Sequence, residues 1–134
     1  MANHILQLAG HLPQIRDVFG LKIYASDSVD PIKVGHAAAV LAGYLDNNQD
    51  GIVDDEKAVD SLLENKSGII IHKNETEEAE HRRNYSKVIE KYGIYTKALY
   101  EEEIRPNGSR FVAGSYEADG SIEEILHMIT VKGY

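Results

Sequence analysis

The stretch Asp46–Lys57 carries potential metal ligands at regular spacing in this chain of 134 residues. Side-chain oxygens stand at positions one, three, five and nine of the stretch, and Gly51 stands at position six. Calcium is a hard cation that takes six to eight oxygen ligands in flexible geometry, and a glycine allows the sharp bend around it. We therefore predict a calcium site. Its ligands are the side chains of Asp46, Asn48, Asp50 and Asp54 and the main-chain carbonyl of Ile52.

This ligand order resembles the loop of the EF-hand and of the wider Asp-x-Asp-x-Asp-Gly class over about twelve residues. The resemblance implies a helix–loop–helix unit, and the segments Pro31–Leu45 and Asp55–Asn65 have the patterns of an entering and a leaving helix. Such loops turn an apolar side chain toward the core at the place where Ile52 and Val53 stand. We expect one ion here, because EF-hand sensors pair two loops and this chain has one.

The loop departs from the EF-hand pattern at position twelve, where the family has a bidentate glutamate and this chain has Lys57. An ammonium group has no lone pair and cannot coordinate a cation. Three alternatives follow: Glu56 reaches in from a shifted helix register, the last ligand comes from elsewhere, or the site is weak. An acidic, glycine-containing turn that never holds a metal is the remaining interpretation.

A second candidate set lies in the segment Glu123-Glu124-Ile125-Leu126-His127. Residues four apart share a helical face, so Glu123 and His127 could reach one Zn²⁺ ion while Glu124 acts as general base on a bound water. The segment is similar to the His-Glu-x-x-His helix of zinc metallopeptidases with the first histidine replaced by glutamate, which implies a metal-dependent hydrolase. The alternative is structural, with Glu124 in a capping box with Ser121 and Glu123 and His127 as an ordinary helical pair.

Zinc chemistry would also require a third ligand for the helix that carries Glu123 and His127. Spacing along the chain selects none of the other histidines. These are His4, His11, His36, His72 and His81.

Composition bounds the class of protein. The length predicts a single domain over residues 1–134, and 43% hydrophobic residues are enough for a core. The net charge of −8 argues against nucleic acid or an anionic membrane as partner and favours cations. The absence of cysteine excludes disulfides and thiolate sites. No signal-peptide pattern is visible, so we expect a soluble protein, either cytoplasmic or a mature secreted form.

Apolar periodicity predicts the elements that position these residues. We expect a helix over residues 5–20 that ends at Gly20, a strand over Leu21–Ala25, and a helix with Asp30 as N-cap and Pro31 at its first position. Further elements are predicted for the rest of the chain. They are a central strand at Ile69–Ile71, a helix over Asn74–Tyr92 capped by Asn74 or Thr76 and ended by Gly93, strands at Ile94–Ile104 and Arg110–Tyr116, and a helix capped by Ser121.

The Pro106-Asn107-Gly108-Ser109 segment carries an Asn-Gly pair that favours a tight hairpin between the last two predicted strands. That hairpin would bring Ile104 near Phe111. Helices interleaved with strands predict an α/β or α+β fold, in which a small mixed sheet is packed by helices and carries one helix–loop–helix loop of calcium type.

The order of segments also resembles a group of uncharacterised bacterial proteins. They share a strand, a helix that ends in Tyr-Leu-Asp-Asn, a calcium-type loop and a later Glu-Glu-x-x-His helix. In those proteins the chain runs on past the segment equivalent to Gly133-Tyr134, so the resemblance implies a C-terminally truncated fragment, with a missing metal ligand beyond its end.

We therefore expect a small acidic calcium-binding domain with a mainly structural ion, a binding protein rather than an enzyme. One alternative is a zincin-like metal-dependent hydrolase that uses Glu123, Glu124 and His127. Another is a protein–protein interaction domain built on the tyrosine-rich stretch from Tyr85 to Tyr100, because aromatic side chains serve interfaces and cores equally.

Overall fold

A computed structural model describes residues 3–107, 110–112, 115–117 and 119–133. Within these ranges the chain forms five α-helices and six β-strands, an α+β domain in which helices pack on a mixed sheet. The helices are α1 Asn3–Ala9, α2 Pro31–Leu45, α3 Glu56–Glu64, α4 Glu75–Tyr92 and α5 Gly120–Lys132. The strands are β1 Gln14–Val18, β2 Leu21–Ala25, β3 Gly68–His72, β4 Thr96–Tyr100, β5 Arg110–Val112 and β6 Ser115–Glu117.

Four strands form the main sheet in the order β1-β2-β3-β4. Strands β2, β3 and β4 are parallel, with Ile23 paired to Ile69 and Ile70 paired to Ala98, and β1 is antiparallel to β2. All five residues of β3 are buried, which confirms the prediction of a central strand covered on both faces.

The two faces of the sheet are covered by different helices. One core holds β-strand residues such as Ile23, Ile69 and Ile71 together with the apolar sides of α2, α3 and α5. The other core holds Tyr24 and Ile70 with residues of α1 and α4. Side chains alternate between the faces along a strand, so consecutive residues of β2 and β3 contribute to opposite cores.

The connections between the parallel strands leave the sheet toward opposite faces. The chain runs from β2 to β3 through α2 and α3 on one face, and from β3 to β4 through α4 on the other. Both connections step the same way across the sheet, so their crossovers have opposite hands, although nearly all such crossovers are right-handed. The chain therefore leaves the carboxyl ends of β2 and β3 toward opposite faces, which is the arrangement that forms a ligand crevice in α/β sheets, and we refer to the place between these two ends as the crevice.

The prediction of a helix over residues 5–20 is wrong beyond Ala9. Helix α1 ends there, and Gln14–Val18 is a strand that forms a hairpin with β2. Proline disfavours helical backbone in the residue before it, so Pro13 prevents the helix from continuing. Phe19 and Gly20 have φ values of 52° and 92°, and tight two-residue hairpins require such positive angles. Gly20 is therefore a turn residue and not the end of a helix.

The predicted pairing of residues 94–104 with residues 110–116 is also wrong. Strand β4 ends at Tyr100 and is followed by a 3₁₀ turn at Glu101–Glu103, while β5 pairs with β6. β4 is the edge strand of the main sheet and pairs in parallel with β3, whereas β5 and β6 form a separate two-stranded sheet. Gly108 and Ser109 of the predicted turn, and the side chain of Phe111, lie outside the described residues.

Helix ends agree with the predicted caps except at α5. The Asp30 side chain accepts from the Ile32 N–H, the Asn74 side chain accepts from the Glu77 N–H, and Gly93 adopts a left-handed conformation. At α5 the N-cap is Asp119 and not Ser121, because the Asp119 carboxylate accepts from both the N–H and the hydroxyl of Ser121. The predicted capping box of Ser121 with Glu124 is therefore wrong.

Among the described helices, none combines the length and the apolar character needed to cross a membrane.

Candidate functional site

The loop between α2 and α3 is wrapped around its own backbone N–H groups. The Asp46 carboxylate, which is buried, accepts from the Gly51 N–H at 2.8 Å and from the Asp50 N–H at 3.3 Å. The Asn48 side-chain oxygen accepts from the same Asp50 N–H at 3.3 Å. Two of the predicted ligand oxygens thus converge on the sharp bend, where Gly51 has a φ of 84°.

Further hydrogen bonds tie the two ends of this loop together. The Asp54 N–H donates to the carbonyl of Leu45 at 2.8 Å, and the Asp54 carboxylate accepts from the Asn47 N–H at 2.9 Å. The Asp50 carboxylate accepts from the Ile52 N–H at 2.9 Å. Every predicted side-chain ligand therefore accepts a hydrogen bond from the loop backbone, which fixes the path of the chain from α2 into α3.

The loop is more open than a filled cation site. The Asp46, Asp50 and Asp54 carboxylates do not all lie within 4.8 Å of one another. Val53 packs against the core, as expected of an apolar side chain at this place, whereas Ile52 is 64% exposed. Val53 is therefore the residue of this pair that ties the loop to the core.

The first turn of α3 does not supply the missing ligand in this arrangement. Asp55 is the N-cap, and its carboxylate accepts from the Ala58 N–H at 3.1 Å. Glu56 and Lys57 follow as exposed residues of the first turn. The twelfth loop position is therefore occupied by Lys57, an exposed lysine that follows the carboxylates of the loop.

Helix α5 carries the predicted residues Glu123, Glu124 and His127. Among the described residues, no third metal ligand lies near Glu123 and His127. Glu123 and His127 are exposed, and Glu124 forms an ion pair with Lys97 on β4 at 3.4 Å. Within the described ranges no histidine, aspartate or glutamate completes a group of three with Glu123 and His127. Glu124 thus joins α5 to the sheet.

Tyrosines of the stretch from residue 85 to residue 100 pack in the interior of the domain. Tyr85 is buried in the core beneath α4, Tyr92 packs against the same core, and Tyr95 packs against the other. The Tyr100 hydroxyl donates to the Glu78 carboxylate at 3.3 Å.

One group of three candidate metal ligands does converge in the described part of the chain, and sequence reasoning missed it. His72 is the last residue of β3, and Glu77 and His81 lie four residues apart on α4, all at the crevice between β2 and β3. One ligand atom from each of these three residues lies within 4.8 Å of the other two. We call this group the His72–Glu77–His81 cluster.

Glu77 is the centre of a dense set of donors. Its carboxylate accepts hydrogen bonds from the Ser26 and Ser28 hydroxyls and from the Lys73 N–H at 3.1 Å, and His72 Nδ1 lies 3.3 Å away. Burial by itself raises the pKa of Glu77, but these hydrogen bonds outweigh it and lower the pKa to about 2. The carboxylate is therefore ionised at neutral pH.

His72 is fully buried between two partners. Nε2 lies 2.7 Å from the Tyr85 hydroxyl, and the two rings stack. Burial lowers the pKa of His72 more than the hydrogen bond and charge of Glu77 raise it, so the ring is neutral at neutral pH. Burial and the charge of Glu78 raise the pKa of Tyr85, which stays protonated.

His81 completes the cluster from the next turn of α4. Its ring meets the His72 ring edge to face, with centroids 5.6 Å apart. His81 Nδ1 is buried and has no hydrogen-bond partner among the described residues. A buried polar atom without a partner costs free energy, so the geometry leaves this nitrogen ready to accept a ligand.

Part of the cluster could be found in the sequence, because Glu77 and His81 have the four-residue spacing of helical ligand pairs. The charges around them suggested a solvated helix face instead. The contributions of Ser26 and His72 depend on the pairing of β2 with β3, which no local pattern reveals.

Comparison of the chain with protein-family models, with curated proteins and with solved structures finds no match.

Proposed function

We propose that this domain binds one calcium ion in the loop Asp46–Asp54 and uses it to fix the angle between α2 and α3. One observation carries the proposal: the side-chain oxygens of Asp46 and Asn48 both lie 3.3 Å from the Asp50 N–H. Ligand positions one and three are thus turned toward the same point, and the Gly51 bend brings the rest of the loop round it. The ion would replace weak internal hydrogen bonds by carboxylate and carbonyl coordination.

Charge supports the same conclusion. The chain has a net charge of −8, and three of its carboxylates lie within the nine residues of the loop. Mutual repulsion among like charges opposes their convergence, and a divalent cation removes that repulsion. The same net charge disfavours nucleic acid and anionic membrane surfaces as partners.

The role of the ion is structural in this proposal. The loop connects two helices whose apolar sides both pack in the core beneath α5, through residues such as Leu41, Leu45 and Leu62. An ion that shortens the loop therefore stabilises the contact of both helices with the sheet. A hydrolase at Glu123, Glu124 and His127 is the lesser alternative, because Glu124 is paired with Lys97 and no described residue supplies a third ligand.

Thermal unfolding in calcium and in chelator tests the proposal. A ligand that binds only the folded state at 100 times its Kd stabilises that state by about 2.7 kcal/mol, so the unfolding midpoint should rise in calcium. Asp50→Ala should abolish the rise, whereas Asp60→Ala, which removes an equal charge from the exposed side of α3, should leave it intact. Identical midpoints for the wild type in millimolar calcium and in chelator would exclude a structural calcium site.

A further inference from the structure

The His72–Glu77–His81 cluster has the composition of a transition-metal site and not of a calcium site. Two imidazole nitrogens and one carboxylate oxygen suit Zn²⁺, whereas calcium selects oxygen ligands alone. We infer that His72, Glu77 and His81 bind a zinc-type ion at the crevice between the carboxyl ends of β2 and β3, separate from the calcium loop.

The separation of the two ligand atoms suits a shared ion as well as a hydrogen bond. His72 Nδ1 and Glu77 Oε1 are 3.3 Å apart, which is long for a hydrogen bond to a carboxylate. Two ligands of a tetrahedral zinc ion, each about 2.0–2.1 Å from the metal, lie roughly 3.3–3.4 Å apart. These two atoms therefore already have the separation that coordination requires, and the third ligand atom has to close from within 4.8 Å.

Hydrogen bonds around the cluster hold His72 and Glu77 in place, as the neighbours of metal ligands do. Metal-bound histidines hold their other ring nitrogen in a hydrogen bond, and His72 Nε2 lies 2.7 Å from the Tyr85 hydroxyl. Glu77 is fixed by the hydroxyls of Ser26 and Ser28, which themselves lie 3.0 Å apart. Coordination by His81 Nδ1 would give a partner to a nitrogen that otherwise has none among the described residues.

The protonation states of His72 and Glu77 also favour metal binding. A metal requires neutral imidazole and ionised carboxylate, and burial lowers the pKa of His72 while hydrogen bonds lower that of Glu77. Within the described residues, Glu77 forms no ion pair with a lysine or arginine, and the one basic side chain within 4.0 Å of its carboxylate is His72, which is neutral. A partly buried carboxylate without a cation nearby is electrostatically suited to receive one.

Three protein ligands leave one position of a tetrahedral ion for water, and the cluster has a path to solvent. The side chain of Glu77 is 15% exposed and His81 is partly exposed, whereas His72 closes the inner side. The ion would therefore be held at the surface end of the crevice with its inner face sealed by β3.

Zinc titration of the chelator-treated full chain tests this inference. The titration is done in millimolar calcium, so that the loop Asp46–Asp54 is filled and cannot compete. We expect one zinc ion per chain, with binding weakened more than about 100-fold in Glu77→Gln and His81→Gln, beyond the 10- to 100-fold cost of losing an outer-shell partner. His127→Gln should bind zinc like the wild type.

The outcomes separate this site from the other candidates. Zinc affinity that is unchanged in Glu77→Gln and His81→Gln, or lost in His127→Gln instead, would overturn the assignment, as would a wild-type chain that binds no zinc. X-ray absorption of the zinc-loaded wild type needs no variant and so does not depend on their folding. It should give two imidazole nitrogens at about 2.0–2.1 Å, and a spectrum without imidazole would contradict the site.

Discussion

His72 Nδ1 lies 3.3 Å from Glu77 Oε1, at the point where the chain leaves the central strand for the helix that covers one face of the sheet. An ionised carboxylate only accepts hydrogen bonds, so His72 Nδ1 carries the proton in this arrangement and Nε2 accepts from the Tyr85 hydroxyl. A metal ion that takes Nδ1 would move this proton to Nε2, which would then donate to Tyr85. The buried hydroxyl suits both states.

Tyr85→Phe should therefore weaken zinc binding without removing a ligand. We expect the dissociation constant to rise by about 10-fold or more, because Nε2 of His72 loses its partner in a buried site. Tyr95→Phe is the matched control, since Tyr95 packs on the other face of the sheet. Zinc titration of the two variants makes the comparison, and equal affinities would show that the Tyr85 hydroxyl has no part in the site.

Asp119 couples the start of α5 to α2, and this contact should make stability depend on pH. Its carboxylate lies 2.6 Å from His36 Nε2 and caps the helix at Ser121. Burial raises the pKa of Asp119, but the hydrogen bonds from His36, the Arg105 N–H and Ser121 outweigh it, and the pKa is lowered. A lowered pKa means stability that is present above the unfolded-state value and is lost as pH falls through the folded-state value.

Asp119→Asn should therefore unfold more easily at neutral pH, by about 1–2 kcal/mol, and should show a smaller loss of stability in acid. Urea unfolding at several pH values between neutral and strongly acidic measures both effects. Asp60→Asn, at an exposed position of α3, serves as control and should follow the wild type. A wild-type acid dependence in Asp119→Asn would show that Asp119 does not contribute to it.

Lys57→Glu should strengthen calcium binding, because it supplies the carboxylate that the twelfth loop position lacks. We expect the dissociation constant to fall by at least about 10-fold, because the substitution removes an ammonium group and adds a bidentate ligand. Lys87→Glu changes the net charge equally on the exposed side of α4, far from the loop in sequence. Calorimetric titration should give a gain in Lys57→Glu alone, and equal gains in both would assign the effect to net charge.

Gly68 permits the close pairing of β2 with β3 on which the crevice depends. A Cβ at this position would lie 2.9 Å from the carbonyl oxygen of Lys22 and 3.3 Å from the Tyr24 ring. Gly68→Ala should destabilise the fold by about 1–3 kcal/mol, because the strands must separate. Gly43→Ala on α2 meets nothing within 4 Å and should stabilise by about 0.5–1 kcal/mol. Chemical denaturation that gave the same sign for both would contradict the pairing.

Much of the fold could be predicted from local patterns. The apolar run Ile69–Ile71 identified the buried strand, and Asp30, Asn74 and Gly93 marked helix ends, because capping and burial are set by neighbouring residues. The strand Gln14–Val18 was missed, since its apolar residues fit a helical period equally well and its pairing with β2 decides between the two.

The two candidate sites differ in how far the sequence could predict them. The calcium loop is contiguous, so its ligand order was legible in the sequence, and calcium binding there stays a prediction. The His72–Glu77–His81 cluster joins a strand end to the face of the following helix, and the donors to Glu77 include Ser26, fifty-one residues away. Such a juxtaposition depends on sheet topology, which residue types along the chain do not encode locally.

A crystal structure determined from protein crystallised in calcium tests the central claim most directly. The account predicts an ion within about 2.3–2.6 Å of side-chain oxygens of Asp46, Asn48 and Asp50 and of the Ile52 carbonyl, with Asp54 or a water bound to it completing the shell. Well-ordered density that contains only water between those oxygens would contradict calcium binding in this loop.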